Sequence, residues 1–174
     1  MTEADAALFC DLYTDAETMR FIGPPLSPER AARGFRNILR LMRQPSADRV
    51  FFTLSERSSG DAIGIGSIQH LDIPGRCAEA GMIIGAKHRN RGWAREGLSG
   101  LIRFAFEHLP LDEVWVQIHA DHTVVEKLVV SVGLSWGSTA VTHVSDPVMR
   151  IWSARRDTWR GDSWSADWRL AGKG

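Results

Sequence analysis

Two amphipathic helices are predicted at the beginning of the chain. Residues 3 to 20 carry apolar side chains at helical spacing and end before a Gly-Pro-Pro run. Ser27 followed by Pro28 predicts the start of a second helix, because Ser is a favoured N-cap and Pro is tolerated at the first helical position. The outer face of this second helix carries five arginines: Arg30, Arg33, Arg36, Arg40 and Arg43. We expect this face to be solvated, with a contact to an acidic substrate as the alternative.

After the second helix, the spacing of apolar residues changes from the helical period to a pattern typical of strands. Residues 50 to 56 and residues 62 to 71 are β-prone and flank turn-forming residues, which predicts a hairpin. Residues 77 to 84 predict a third strand. Gly64 and Gly66 lie inside the second strand, and the third glycine of a dinucleotide fingerprint is absent. These glycines are therefore expected to permit the close approach of a backbone or a ligand.

The second half of the chain alternates between strand and helix patterns. The predicted elements are a polar loop at 85–91, a helix at 92–108, a strand at 113–119, a helix at 123–132, and strands at 134–139 and 148–153. Thr123 and Glu126 have the spacing of a capping box. The succession of strand, loop, helix and strand favours a parallel strand pair. The predicted fold class is therefore α/β (α+β), with a mixed central sheet flanked by helices.

The composition is that of an ordinary globular chain. The 174 residues contain 21 Lys or Arg and 21 Asp or Glu, so the formal net charge is zero. A neutral chain does not bind polyanions through its overall charge, and nucleic acid is not expected as a partner. Only two cysteines are present, which excludes a disulfide scaffold and a Cys-based zinc site. We expect a single domain over residues 1 to 174.

Neither a membrane segment nor a metal site is predicted. No apolar run approaches the roughly 20 residues that a membrane span needs, and the start of the chain is acidic where a signal peptide is basic. We therefore expect a cytoplasmic protein. His119 and His122 are spaced as two metal ligands could be, but no acidic or cysteine partner has supporting spacing.

The stretch from Gly85 to Glu96 is the most informative for chemistry. A predicted strand enters a short basic loop, and Gly92 then opens a helix. This arrangement directs backbone N–H groups and the positive helix end at one point, where a phosphate or pyrophosphate can bind. Residues 85 to 104 carry five cations against one carboxylate, a local net charge of +4: Lys87, Arg89, Arg91, Arg95 and Arg103 against Glu96. The neutral chain thus has a cationic helix start.

These residues resemble the GNAT superfamily of acyl-CoA-dependent N-acetyltransferases. The pyrophosphate loop of that family has the pattern R/Q-x-x-G-x-G/A, which Arg89-x-x-Gly92-x-Ala94 matches. The early segment 15–23, the strand start Ala78-Glu79-Ala80-Gly81 and the segment 155–159 are similar to the branch that contains the ribosomal-protein N-terminal acetyltransferases. The resemblance covers about residues 5 to 159. Residues 160 to 174 form a tryptophan-rich tail that either packs on the body or serves interaction.

The resemblance implies acetyl-CoA as co-substrate and a primary amine as acceptor, either a protein or peptide N-terminus or a small molecule. The amine would attack the thioester directly. The predicted pyrophosphate-binding residues are Arg89, Asn90, Arg91, Gly92, Trp93 and Ala94. Met82, Ile83 and Ile84 would run beside the pantetheine arm, where the parallel strand pair splays apart. Glu79 is the candidate general base, and a solvent-facing or Arg-paired carboxylate is the alternative interpretation.

The sequence departs from the family at the general acid. The family's frequent tyrosine falls at Val129, and the chain has one tyrosine, Tyr13. Ser131 or His122 could protonate the leaving thiolate, or solvent could do so. His122 (or Asp121) also takes the place of the family's cofactor-binding Asn, and Val125 takes that of its Ser. These changes leave a catalytically weak acyl-CoA-binding or regulatory module as the alternative function.

The beginning of the chain also departs from the family. Relatives open with a strand before the first helix, whereas this sequence enters the helix almost at once. An absent first strand would leave residues 50 to 55 at a sheet edge, available for pairing in a homodimer. Acetylation of an aminoacyl-tRNA is a further alternative, but it calls for a broader basic surface than this chain carries.

Overall fold

The computed structural model describes residues 1–140 and 148–161. The predicted tail residues Trp164 and Trp168 lie outside the described residues. The chain begins with a 3₁₀ turn at Glu3–Asp5 and continues in three helices. These helices are α1 (Ala6–Thr14), α2 (Ala16–Met19) and α3 (Pro28–Met42). All five arginines on the outer face of α3 are exposed, as predicted for a solvated surface.

The prediction of one continuous helix over residues 3 to 20 was wrong. The helix breaks at Asp15, whose backbone is extended (φ −78°, ψ 118°). The Asp15 carboxylate accepts a hydrogen bond from the backbone N–H of Thr18 at 2.8 Å and caps α2. An Asp side chain can compete in this way with the helical hydrogen bonds of the main chain. This explains why Asp15, which was predicted inside a helix, is instead the N-cap of α2.

Six strands form one sheet. Their bounds are β1 (Val50–Ser55), β2 (Ala62–Asp72), β3 (Cys77–Ile84), β4 (Glu113–His119), β5 (Ser135–Ala140) and β6 (Met149–Arg155). The strand order is β1-β2-β3-β4-β6-β5. The pairs are antiparallel except for β3 and β4, which are parallel. The mixed sheet and its single parallel pair confirm the predicted fold class.

Helices cover the two faces of the sheet unequally. The longest helix, α4 (Trp93–His108), connects β3 to β4, and α5 (Thr123–Ser131) follows β4. Both pack on one face in the larger core cluster, around the fully buried Leu101 and Ile102. On the other face, α1 and α3 pack over β1 and β2.

The close approach predicted at the strand glycines is present inside the protein. A Cβ on Gly64 would lie 2.3 Å from the carbonyl oxygen of Ile83, and one on Gly66 would lie 2.9 Å from the side chain of Leu101. These glycines let β2 pack tightly against β3 and α4, which is a packing role.

The capping box predicted at the start of α5 was wrong. His122 is the N-cap residue and makes no side-chain capping bond, and Thr123 is already helical. The Glu126 carboxylate accepts instead from the guanidinium of Arg150 on β6. A long-range ion pair thus replaced the local hydrogen bond that the spacing suggested.

The described end of the chain closes back on the body. The Arg156 guanidinium donates to three carbonyls where α4 ends and β4 approaches: Leu111 at 2.7 Å, Leu109 at 2.8 Å, and Phe106. Trp159 packs against the larger core and its indole N–H donates to the Val132 carbonyl at 2.9 Å. Trp159 is therefore a packing residue.

Candidate active site

The parallel pair is interrupted in the middle of the sheet. β3 and β4 pair over three rungs, from Cys77–Glu113 to Glu79–Trp115, and then part. β3 continues to Ile84 and stays paired with β2 along the way. Residues 80 to 84 therefore present one strand edge to the gap, and a backbone edge of this kind can pair with an extended ligand.

The loop after this edge has an unusual backbone. A 3₁₀ turn at Ala86–His88 precedes it, and both Asn90 (φ 62°) and Gly92 (φ 84°) are left-handed. Gly92 is the N-cap of α4, and as a glycine it has no side chain that could cap the helix. The N–H of Arg89 donates to the Ala86 carbonyl at 3.3 Å. The next five N–H groups, from residue 90 to residue 94, donate to no carbonyl of the described residues.

Within the described part of the chain, these five N–H groups without a carbonyl partner, at the start of a 16-residue helix, form an arrangement that can bind an anion. Helix N-termini and adjacent main-chain N–H groups stabilise phosphate by direct hydrogen bonding and by the helix dipole. A Cβ on Gly92 would meet no atom within 4 Å, so the space beside this residue is open. The residues present fit the pyrophosphate group that the sequence pattern implied.

Most of the basic side chains around the loop are engaged elsewhere. The Arg89 guanidinium lies 3.5 Å from the carbonyls of both Glu17 and Thr18, at the end of α2. The Arg91 guanidinium lies over the Trp93 ring, 5.2 Å from its centroid. The main-chain N–H groups of the loop can therefore act as anion donors without either of these guanidinium groups.

Glu79 lies at the last rung before the gap. Its Cα pairs with Gln69 on β2 and with Trp115 on β4, and its side chain is 18% exposed. Its Oε2 lies 2.7 Å from Nδ1 of His70. Gly81, two residues further on, shares this sheet face, and a Cβ there would lie 3.0 Å from the Ser67 hydroxyl. The predicted base is thus partly covered, paired with a histidine, and next to a position without a side chain.

His122 lies at the far end of β4, beside α2. Its ring stacks on Phe21, with centroids 4.1 Å apart, and His119 approaches the same ring at 6.1 Å. Burial lowers the pKa of His122, and the positive charges of Arg89, His119 and Arg20 lower it further. His122 therefore favours its neutral form.

The other positions considered for the general acid, Ser131, Val129 and Tyr13, each lie in different surroundings. The Ser131 hydroxyl, exposed at the end of α5, donates to the Leu128 carbonyl at 2.7 Å, and its carbonyl accepts from Arg95 of α4 at 3.4 Å. Val129, at the position of the family's tyrosine, is buried in the core. Tyr13 stacks on Phe9 beneath α3, and burial raises the pKa of its hydroxyl.

Sequence reasoning assigned no site role to three residues that lie around the site, Thr18, Phe21 and His70, although Thr18 and Phe21 fall within segment 15–23. Thr18 carried a weak signal, because it follows a possible Asp cap by three residues. His70 carried none, since its position depends on an irregularity in β2. Among residues 1–140 and 148–161, no group of three or more His, Cys, Asp or Glu is arranged to hold a metal ion. No helix in the described part of the chain has the length and apolar character to cross a bilayer.

Comparison with known proteins agrees with this geometry. The chain matches the model of the acetyltransferase (GNAT) domain over residues 1–135. N-acetyltransferase p20 of Bacillus licheniformis, itself uncharacterized, is 25% identical over 126 residues, covering 71% of this chain and 70% of that protein.

Two solved structures have the same fold. The spermidine N-acetyltransferase of Vibrio cholerae, in complex with CoA and spermine, has a TM-score of 0.78 at 14% identity, over 90% of this chain and 93% of that one. A GNAT-family acetyltransferase of Bacillus anthracis has a TM-score of 0.71 at 16% identity, over 88% and 90%. With the family match over most of its length, this chain belongs to the GNAT acetyltransferase family and is an N-acetyltransferase.

Proposed function

We infer that the protein transfers the acetyl group of acetyl-CoA to the α-amine of a peptide or protein N-terminus. The observation that carries this proposal is the gap between β3 and β4, which opens directly before the loop with five free N–H groups. Acetyl-CoA supplies an activated thioester, which the amine attacks directly. A small-molecule amine is the alternative acceptor.

The proposed cofactor contacts follow the two features of the backbone. The N–H groups of residues 90 to 94 would hold the pyrophosphate, with Arg89 supporting the loop through α2. Met82, Ile83 and Ile84 would pair with the pantetheine arm along the open edge of β3. A main-chain N–H of that edge would polarise the thioester carbonyl. His122 would contact the cofactor from the end of β4, where the family has an Asn.

The attacking amine must lose a proton, and Glu79 supplies the negative charge that draws it away. The carboxylate acts directly or through a group hydrogen-bonded to it. An α-amine, with a pKa of about 8, is partly neutral near pH 7, whereas a lysine amine, at about 10.4, needs more help. Ser131, His122 or solvent would return a proton to the leaving thiolate.

The electrostatics of the site favour a peptide N-terminus over a polyamine. The charges of Arg89, His119 and Arg20 each disfavour the protonated form of His122, and so would oppose further positive charge beside it. A polyamine brings several positive charges into this field, whereas a peptide with one α-amine and neutral or acidic residues does not. This agrees with the similarity to the ribosomal-protein N-terminal acetyltransferases in residues 15–23 and 155–159.

The test is CoA-thiol release from acetyl-CoA with a panel of acceptors: spermidine, a lysine-only peptide with a blocked N-terminus, and peptides with free N-termini. We expect turnover with the free N-termini. Glu79→Gln should lower kcat while leaving CoA affinity, measured by calorimetry, unchanged. Tight CoA binding with no turnover on any acceptor would contradict the proposal and favour a catalytically weak acyl-CoA-binding module.

A homodimer through β1 is part of the same proposal. β1 lies at the edge of the described sheet and pairs with β2 on one side. The terminal ammonium of Met1 donates to the Phe51 carbonyl of this strand at 3.1 Å. Light scattering checks the dimer, and a single-chain mass at all concentrations would contradict it.

A further inference from the structure

β2 contains one extra residue opposite the last paired part of β3. Gln69 pairs with Glu79, but the next pair joins Asp72 to Cys77, so three steps on β2 face two steps on β3. This is a β-bulge, a feature that redirects a side chain and is frequent beside active sites. His70 lies in the bulge with a left-handed backbone (φ 50°), a conformation that is uncommon outside glycine.

The bulge brings the His70 imidazole to the predicted base. In a regular strand, His70 would point away from the sheet face that Gln69 shares with Glu79. With the extra residue, Nδ1 of His70 lies 2.7 Å from Oε2 of Glu79. The imidazole also lies nearly parallel to the Trp115 ring, at an interplanar angle of 4° and a centroid distance of 6.1 Å.

Exposure differs between the two partners. The His70 side chain is 62% exposed, whereas that of Glu79 is 18% exposed. The group that an incoming amine can reach is therefore the imidazole, and the carboxylate lies behind it. In the neutral imidazole, an Nδ1–H that donates to the Glu79 carboxylate leaves Nε2 with its lone pair.

We propose that His70 is the proton acceptor of this acetyltransferase, held in the correct tautomer by Glu79 and oriented by Trp115. This rests on the proposed function and specifies the group through which Glu79 acts. Nε2 takes a proton from the acceptor ammonium, and the electron pair of the broken N–H bond stays on the amine nitrogen. The imidazolium, paired with the Glu79 carboxylate, then releases the proton to water.

Other charged groups near His70 are compatible with this role. The pKa of Asp48, just before β1, is lowered mainly by the hydrogen bond that this carboxylate accepts from Arg49. The charge of His70 makes a smaller contribution in the same direction. The Asp48 carboxylate is satisfied by Arg49, at 2.6 Å and 2.9 Å. Glu79 is therefore the carboxylate that is hydrogen-bonded to the imidazole.

The kinetic test uses His70→Asn, because Asn tolerates a left-handed backbone and cannot take up a proton at neutral pH. We expect kcat to fall about a hundredfold with the best peptide acceptor, with little change in CoA affinity. His108→Asn, at the end of α4 on the other sheet face, is the control and should keep its activity. The double variant His70→Asn/Glu79→Gln should be no slower than the slower single variant, because the two residues act as a unit.

Two further measurements separate a proton acceptor from a structural residue. His70→Gly keeps the left-handed backbone and leaves space at an exposed position, so added imidazole should restore part of its activity. In the acetyl-CoA-free protein, ¹⁵N shifts of the His70 ring should report the Nδ1–H tautomer, and Glu79→Leu, which removes the acceptor oxygen, should abolish this preference.

The outcomes distinguish this proposal from the proposed function. If His70→Asn keeps wild-type kcat while Glu79→Gln loses it, His70 is not the acceptor and Glu79 acts without it. If both His70→Asn and Glu79→Gln keep wild-type kcat, Glu79 has no role in proton transfer, and the proposal for His70 is overturned as well. A His70 ring that shows no tautomer preference in the free protein would also overturn the proposal.

Discussion

The buried hydroxyl of Thr18 accepts a hydrogen bond from the backbone N–H of Ala86 at 3.3 Å. The same hydroxyl donates to the Asp15 carboxylate, and this bond is the main reason why the pKa of Asp15 is lowered. One side chain therefore ties α2 to the segment that leads into the proposed pyrophosphate loop. Arg89 makes a second connection between the same two parts.

Thr18→Val should weaken this connection while nearly keeping the volume of the side chain. The backbone N–H of Ala86 and the Asp15 carboxylate both lose a partner, so we expect about 1 to 3 kcal/mol less stability to unfolding by urea. CoA affinity should fall as well, because the loop loses its support. Thr14→Val is the matched control, since the Thr14 hydroxyl bonds only within its own helix, to Cys10. Equal CoA affinity in both variants would contradict the coupling.

Gly92→Glu should weaken CoA binding by about tenfold or more, a cost of about 1.4 kcal/mol or more. The new carboxylate would lie beside the five free N–H groups and repel an anionic pyrophosphate. Gly60→Glu controls for backbone strain, because Gly60 is also left-handed (φ 77°) and lies in the hairpin turn between β1 and β2. Calorimetry that finds the same CoA affinity for both variants would place the pyrophosphate elsewhere.

His122 should make stability depend on pH. Its pKa in the folded protein lies below the ordinary value of about 6.5, because burial and nearby positive charges disfavour the imidazolium. Below about pH 6.5 the unfolded chain therefore binds more protons at this site, and stability falls as the pH decreases toward the folded-state pKa. His122→Gln should flatten the curve of unfolding free energy against pH in that window. An unchanged slope would mean that His122 is not the group responsible.

Arg156→Ala should destabilise the fold without affecting the cofactor site. The guanidinium donates to three carbonyls at the end of α4, and its loss leaves them without this partner. We expect a loss of about 1 to 3 kcal/mol in urea unfolding. Arg155→Ala is the control, because Arg155 is exposed and pairs with Asp157 at 3.5 Å. A similar small effect of both substitutions would show that the three bonds contribute little.

The local sequence predicted those parts of the site that depend on local backbone chemistry. The sequence around Arg89-x-x-Gly92-x-Ala94 predicted a loop from which Gly92 opens a helix, and Gly92 is left-handed at the helix start. The break at Asp15 was missed because apolar spacing alone continues across it. The proximity of His70 to Glu79 depends on an extra residue between two strands, and pairing irregularities leave no periodic pattern in the sequence.

The parting of β3 from β4 also has a consequence for solubility. A free strand edge at the rim of a sheet invites strands from other molecules and so favours aggregation. Here the two unpaired edges face each other inside the sheet, with β2 bonded behind one and β6 behind the other. Both edges therefore lie inside the strand order β1-β2-β3-β4-β6-β5 and not at its rim. The unpaired main-chain groups of β3 and β4 are thus kept away from the outer strands, where edge-to-edge pairing between copies takes place.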